Sequence, residues 1–466
     1  MSLLTVIRNG KKQTVEVPDG VTLSSALREN GFYHPHPCGG KGTCGKCSVE
    51  VNGEIVLSCQ KLLLGDTTVI LPDTEEALAS SSSVTVPRGE LCLCLDIGST
   101  TLAMAAVAGG EVIATLVSEN PQRAFGADVI SRIEYCMKNG THELRAAVTS
   151  AVNELSQKLL ESVGMAYSEV MYVSGNTTML HIFAGVDPSP MGRAPYTPEF
   201  LGEVRTAGES LGLERVGEAV LLPGIAAFVG ADIVSGIGYV GLPEGGGYRL
   251  LIDLGTNAEI ALFSKERILC TAAAAGPCFE GANISCGMSA SRGAVYAVDE
   301  DGRCSVIGGG EAVGICGTGL IDAIAYGVKS ELIDEGGYME DGELQLCGAV
   351  TLTGRDVREL QLAKSAIRAA VECLLTREGI TYSEIEGVYV AGGFSASLNV
   401  ENAAYIGLIS EEVTKKLHGI GNSSLMGAVK YATSCKDSFP DLRNAQYVDL
   451  SADSRFSRLF MEYMYF

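Results

Sequence analysis

The chain has no tryptophan, and its 34 lysines and arginines are outnumbered by 56 aspartates and glutamates. The formal net charge of −22 argues against a nucleic acid partner and against an anionic membrane surface, both of which call for cations on the protein. No run of about eighteen apolar residues passes without a glycine or a charge, so no membrane-spanning helix is expected. The opening residues Met1-Ser2-Leu3-Leu4-Thr5 lack a basic stretch followed by an apolar one, so no signal peptide is read. Cysteine is not scarce. Fifteen cysteines without a leader imply mostly free thiols in a reducing compartment, and a cytoplasmic protein is expected. With 466 residues, 46% of them hydrophobic, the chain can bury the cores of about two or three domains.

Cys38, Cys44, Cys47 and Cys59 carry the clearest chemistry. Cys38 and Cys44 form C-x5-C, Cys44 and Cys47 form C-x2-C, and Cys59 follows after a gap. Plant-type ferredoxins hold a 2Fe–2S cluster with C-x4-C-x2-C and a distant fourth cysteine. One extra residue in the first gap gives the adrenodoxin-like variant. Gly39, Gly40, Gly42 and Gly45 let the loop curl and turn N–H groups toward the cluster sulfides. The competing reading is structural zinc, which favours two short paired knuckles where only one pair here is short. A cluster that behaves as plant-type clusters do works at a potential on the order of −400 mV. His34 and His36 read as loop residues. Cys270, Cys278, Cys286, Cys304 and Cys316 show no ligand spacing; packing sulfur is the favoured reading and a second metal the alternative.

Around this loop the pattern is that of a small β-grasp domain, residues 1–73. Residues 3–8 and 13–17 flank Asn9-Gly10, and residues 48–51 and 54–57 flank Asn52-Gly53, predicting two hairpins. A short helix through Leu27 is expected between the hairpins, and residues 67–71 give a last strand. Residues 74–89, with Glu75-Glu76, Ser80 to Ser83 and Pro87, are a polar run without period, read as a flexible linker.

From residue 90 the sequence repeats itself. Leu93-Cys94-Leu95-Asp96-Ile97-Gly98-Ser99-Thr100-Thr101 recurs as Leu250-Leu251-Ile252-Asp253-Leu254-Gly255-Thr256-Asn257. Val170 to Asn176 recurs as Val388 to Gly393, each a strand that meets glycine at its end. The order is the same in both copies, which predicts two related α/β lobes, 90–245 and 246–466 with the C-terminal tail, and a cleft between them. A helix is expected over 356–377, with Val357, Leu360, Ala363, Ile367, Ala370, Val371 and Leu374 on one stripe, Thr353 as N-cap and Gly379 as stop. The apolar end, Phe460 to Phe466, is expected to pack on a lobe or on a subunit neighbour.

The two Asp-x-Gly loops look like the phosphate loops of the acetate kinase, sugar kinase, Hsp70 and actin superfamily. Gly98 and Gly255 let backbone approach phosphate, while Ser99, Thr100, Thr101, Thr256 and Asn257 supply hydroxyl, amide and N–H groups. Asp96 and Asp253 can hold Mg2+ through water or orient the attacking water. Gly392 and Gly393, with Phe394, resemble the adenosine motif; a tight strand-to-helix turn is the alternative. Gly317, Thr318 and Gly319 start a helix that could line the nucleotide. Asp232 opens another helix and is a candidate for positioning water, or simply favourable charge at a helix start.

The combination resembles the reductive activators of corrinoid-dependent methyltransferases over nearly the whole chain. The resemblance extends to Asn120-Pro121-Gln122-Arg123-Ala124-Phe125-Gly126-Ala127-Asp128 through Arg132, to Ser174 through His181, to Gly276-Pro277 with Phe279-Glu280-Gly281-Ala282, and to Gly317 through Leu320. It implies an N-terminal β-grasp 2Fe–2S ferredoxin domain followed by duplicated actin/Hsp70/sugar-kinase-like (RNase H-like) lobes, an α/β and α+β architecture. It further implies ATP and Mg2+ as cofactors beside the cluster, a corrinoid (cobalamin-binding) protein as partner, a low-potential electron donor and a possible homodimer. The implied activity is ATP-dependent return of Co(II) to Co(I). Residues 175–183, 188–195 and 276–288 are the candidates for facing the partner. Family members are often longer, with a further domain after the ferredoxin where only the linker stands here. The alternatives are an ATP-driven electron donor to another enzyme such as a 2-hydroxyacyl-CoA dehydratase, a small-molecule kinase with a redox sensor, and a nucleotide-switched binding module.

Overall fold

The computed structural model describes the whole chain except residues 1, 9–10, 31, 33–46, 72–76, 80–90, 394, 435–438 and 452. It divides into two compact units, Met1–Asp232 with Ala428–Cys435, and Ile233–Gly427 with Lys436–Phe466. Among the described residues no helix is long and apolar enough to cross a membrane.

The first unit begins with β1 (Ser2–Arg8), β2 (Lys11–Val17), α1 (Leu23–Glu29), β3 (Ser48–Val51), β4 (Glu54–Leu57) and β5 (Thr67–Ile70). These strands form one sheet in the order β2-β1-β5-β3-β4, with β1 parallel to β5. Alternation puts Leu4 and Val6 of β1, Val49 and Val51 of β3 and Val69 of β5 on the face that α1 covers with Leu23, Ala26 and Leu27. Asn52 (φ 51°) and Gly53 (φ 88°) both take the left-handed backbone a two-residue hairpin requires.

Within the expected linker, β6 (Ala77–Ala79) pairs antiparallel with an edge strand of the next sheet. That sheet comprises β6, β7 (Leu91–Ile97), β8 (Thr101–Ala108), β9 (Glu111–Glu119), β10 (Ser168–Gly175), β11 (Val204–Ala207) and β12 (Val216–Leu221). Its order is β11-β12-β10-β7-β8-β9-β6. The helices α2 (Val129–Asn139), α3 (His142–Ser162) and α4 (Thr177–Ala184) belong to this unit, and α5 (Ala231–Val240) starts at its end.

The second unit repeats the plan. Its strands are β13 (Tyr248–Leu254), β14 (Ala258–Phe263), β15 (Ile268–Ala273), then β16 (Ala294–Val298), β17 (Cys304–Val306), β18 (Gly314–Ile315), β19 (Glu343–Cys347), β20 (Val350–Thr353), β21 (Ile385–Ala391), β22 (Leu417–Gly421) and β23 (Ala445–Tyr447). The helices are α6 (Gly317–Lys329), α7 (Gly354–Glu378), α8 (Val400–Tyr405) and α10 (Ser454–Glu462), while α9 (Ser423–Thr433) begins in this unit and ends in the first. The main sheet runs β22-β21-β13-β14-β15-β23. Set beside β12-β10-β7-β8-β9 of the first unit, the shared pattern is complete. The aspartate strand is antiparallel to the strand after it and parallel to the strand that ends in glycine.

α7 matches its sequence expectation. Every member of the apolar stripe from Val357 to Leu374 is buried. Thr353 caps it through a reciprocal bond with Asp356, and Gly379 ends it in the left-handed region at φ 77°. The C-terminal tail packs on this helix. Lys364 Nζ donates to the carbonyls of Tyr463 and Tyr465, both at 2.6 Å, and Gln361 Nε2 to that of Met464 at 2.9 Å. The expectation of lobe packing for Phe460 to Phe466 therefore holds.

Asp356 is wholly buried and accepts four bonds. Oδ1 takes Ser285 N (2.8 Å) and Oγ (3.1 Å), while Oδ2 takes Thr353 N (2.8 Å) and Oγ1 (2.9 Å). Removing it orphans donors at both the α7 cap and the 276–288 segment. Asp356→Ala is expected to lower the free energy of unfolding by about 3 kcal/mol, read from urea denaturation, against about 1 kcal/mol for Thr353→Ala.

Candidate functional site

Two of the four cluster cysteines are described, Cys38 and Cys44 lying outside the described residues. Cys47 stands just before β3 and Cys59 in the turn after β4. Both are buried, with their sulfurs 3.3 Å apart. The Ser58 N–H donates to the Cys47 carbonyl at 3.0 Å and holds the two segments together. Thiolates that share a tetrahedral metal at about 2.3 Å stand ~3.7 Å apart, a spacing this pair approaches from below. Elsewhere, burial pushes the Cys270 and Cys278 thiols up to about 12, and the Cys316 sulfur lies on the Val295 carbonyl at 3.4 Å. Such buried, protonated thiols suit packing.

In the first unit Asp96 is the penultimate residue of β7, paired across to Ala103 and Ser174. The chain turns at Gly98, whose N–H donates to the Thr101 carbonyl at 3.0 Å. Beside it β10 finishes at Gly175. There φ is +152°, and a Cβ would lie 2.7 Å from the Ile97 carbonyl oxygen, so only glycine fits. Asn176 then caps α4 through the Thr178 N–H at 3.0 Å. Gly230 packs directly on the backbone of Gly175 to Thr177, and Asp232 follows it in the first turn of α5. Asp96, the Gly98–Thr101 loop and Gly175 thus meet at the carboxyl ends of β7 and β10.

The second unit repeats this geometry. Asp253 is penultimate in β13, paired with Glu259 and Ala391. The Gly255 N–H donates to the Asn257 carbonyl at 3.0 Å, closing a loop one residue tighter than the first. Gly392 (φ +111°) occupies the place of Gly175, and a Cβ there would collide with the Leu254 carbonyl oxygen. Ser395 Oγ donates to the Gly392 carbonyl at 2.9 Å and accepts from the Gly421 N–H at 3.0 Å. Gly393 differs: a Cβ there would meet nothing within 4 Å. The two adjacent glycines therefore answer two needs, backbone closeness at Gly392 and an open face at Gly393. Phe394 lies outside the described residues.

Thr256 Oγ1 donates to Glu280 Oε2 at 2.8 Å. This ties the second loop to the segment from Gly276 to Met288, a link that sequence spacing could not reveal. The start of α6 lies behind that segment. A Cβ on Gly317 would strike the Phe279 carbonyl, and one on Gly319 the Val295 carbonyl, while Thr318 Oγ1 donates to the Tyr296 carbonyl at 2.7 Å. Close packing accounts for both glycines and for the buried hydroxyl.

One partner-facing expectation changes. Thr177 to Phe183 are all buried, His181 completely. His181 Nδ1 lies 2.8 Å from the Thr177 carbonyl, Nε2 accepts the Glu199 N–H at 3.1 Å, and the ring stacks on Phe200 at 4.1 Å. Burial holds its pKa below the ordinary histidine value. Residues 175–183 are thus core, because α4 covers the sheet on its apolar face. Residues 192–197 are exposed.

A β-grasp domain with paired cysteines, followed by a duplicated RNase H-like fold with an Asp-x-Gly loop in each half, defines a 2Fe–2S protein joined to an ATPase of the actin and sugar-kinase class. The 2Fe–2S iron-sulfur cluster binding domain matches residues 6–71, the RACo middle region residues 91–244, and the C-terminal ASKHA domain of RACo residues 247–466. Corrinoid activation enzyme RamQ of Eubacterium limosum is 30% identical over 418 residues, 79% of this chain and 69% of that protein. The Co(II) methylated amine-specific corrinoid protein reductase of Methanosarcina barkeri is 29% identical over 339 residues, 64% of this chain and 62% of that protein. The solved structure of a reductive activator for corrinoid, iron-sulfur protein is 27% identical with a TM-score of 0.73, covering 99% of this chain and 98% of that one. The chain belongs to the family of reductive activators of corrinoid proteins.

The division of labour between the two glycines is testable. Gly392→Ala is expected to cost about 2 kcal/mol of stability in a thermal or urea melt. Gly393→Ala is expected to melt like the wild type and to bind ATP more weakly in a nucleotide titration.

Proposed function

We propose that this protein uses ATP to return a corrinoid protein from the inactive Co(II) state to Co(I), in a methyltransferase or O-demethylase type of methyl transfer. The observation that carries the reading is the joining, in one chain of this family, of a cluster-type cysteine set to a duplicated pair of Asp-x-Gly loops. Cys38, Cys44, Cys47 and Cys59 would hold a 2Fe–2S cluster, which when bound supplies one-electron transfer at low potential. Asp96 and Asp253, at equivalent strand ends, would each hold Mg2+ through water or orient the attacking water, and Asp232 would be a further candidate for positioning that water. Gly98, Ser99, Thr100 and Thr101, with Gly255, Thr256 and Asn257, bind phosphate, and Gly393 leaves room for the base.

Co(I) is a strong reductant, so the transfer runs uphill. Each ~59 mV by which the cobalt lies below the donor costs a factor of ten in equilibrium. ATP offsets this if its binding and hydrolysis favour conformations that differ in affinity for the two cobalt states. An external low-potential donor supplies the electron, one per cobalt, and a homodimer is the assembly expected of the protein.

The deciding experiment mixes the purified protein with a Co(II) corrinoid protein, a reductant and ATP, and follows the cobalt absorption bands. Asp253→Ala is expected to abolish ATP-dependent Co(I) formation with the iron–sulfur absorbance intact, and Cys47→Ala to lose that absorbance while nucleotide binding persists. Unchanged activation in the first variant, or loss of both properties in the second, rejects the assignment.

A further inference from the structure

We propose that Arg132 is a positioning residue for the ATP phosphates, acting through the carbonyls of the Gly98–Thr101 loop together with Asn120 and Gln122. The proposal rests on the reading of that loop as an ATP-binding element. Arg132 projects from α2 and is wholly buried, as is Gln122, with Asn120 exposed by only 1%. Its Nη2 donates to the Ser99 carbonyl, Nε to the Gly126 carbonyl at 3.1 Å, and Nη1 to Gln122 Oε1 at 3.2 Å. Asn120 takes the carbonyls on either side. Its Nδ2 donates to Gly98 O at 2.7 Å and its backbone N–H to Thr100 O at 2.8 Å. Gln122 is locked in turn, accepting from Asn120 Nδ2 at 3.2 Å and donating to Leu144 O at 3.1 Å.

Three consecutive loop carbonyls are therefore held by donors on the inner side of the loop. A carbonyl oxygen is the atom a phosphate must avoid, so fixing all three inward settles which face of the loop an anion can approach. A planar guanidinium is suited to this because its donors leave in several fixed directions, here to a loop carbonyl, a turn carbonyl and a side-chain amide; an ammonium has no such fork. The position of the charge matters too. A buried cation is costly to keep in a protein interior, and this one lies directly behind a loop assigned to an anion, where the low dielectric strengthens its attraction. Gly126 makes the geometry possible. A Cβ there would lie 2.6 Å from Ser131 Oγ and 2.9 Å from Arg132 N, so only glycine lets its carbonyl come close enough to Nε.

The test titrates ATP and adenosine side by side into wild-type protein and into Arg132→Lys, Arg132→Met and Gln122→Glu. Gln122→Glu keeps the side-chain shape and sets a carboxylate against the guanidinium, so it carries the test if the Arg132 variants do not fold. The expected result is a loss of ATP affinity of about tenfold or more in every folded variant, with adenosine affinity changed by less than about twofold. A residue that only supports the fold would weaken both ligands alike. Equal losses for ATP and adenosine, or ATP affinity within about twofold of wild type in Gln122→Glu, overturn the proposal while leaving the loop assignment standing. A wild-type protein that binds no ATP overturns the loop assignment itself, and the proposal with it.

Discussion

In each half of the duplicated fold, the strand bearing the aspartate and its parallel neighbour end so close together that the neighbour must finish in glycine. Gly175 lies against the Ile97 carbonyl and Gly392 against the Leu254 carbonyl. A methyl group at either place would force the strand ends apart, and the adjoining turn would lose its position. This contact sets the depth of both Asp-x-Gly loops, because each loop begins at the residue after the carbonyl concerned. It also sets where the next element starts, the capped α4 in one half and the Ser395 turn in the other.

The loops owe their remaining order to side chains from outside the strands. In the first half the Asn120–Arg132 segment grips the loop carbonyls. In the second, Glu280 takes the Thr256 hydroxyl, and its own segment is pinned at the far end by Asp356 at the start of α7. The two halves thus share a backbone plan and differ in what stabilises it. A buried cation stands behind one loop and a carboxylate beside the other. Duplicated loops with different supports are free to do different work.

Much of this could be read from the residues alone. Alternation and the Asn52-Gly53 pair specify the second hairpin, since few residues other than Asn and Gly take the left-handed backbone it needs. α7 announces its stripe, its cap and its stop. The repeated Asp-x-Gly strings give the duplication. Other features could not be read. The 175–183 segment looks like a partner surface because its residue types suit an ordered loop, yet burial depends on the sheet beneath it. Asp128 and Arg132, one turn apart, invite pairing; instead Asp128 caps α2 through Ser131 N at 2.7 Å, while Arg132 reaches back to Ser99.

The sequence by itself determined elements such as the second hairpin and α7, the twofold repetition and the cysteine set, because these depend on periodicity, turn chemistry and spacing along the chain. Tertiary structure alone decided why Gly392 and Gly393 differ, why Gly317 and Gly319 must be small, and which side chains stand behind the phosphate loops. Each of those depends on what a residue meets from a distant part of the chain, and no local pattern of residues encodes the identity of a neighbour brought there by folding.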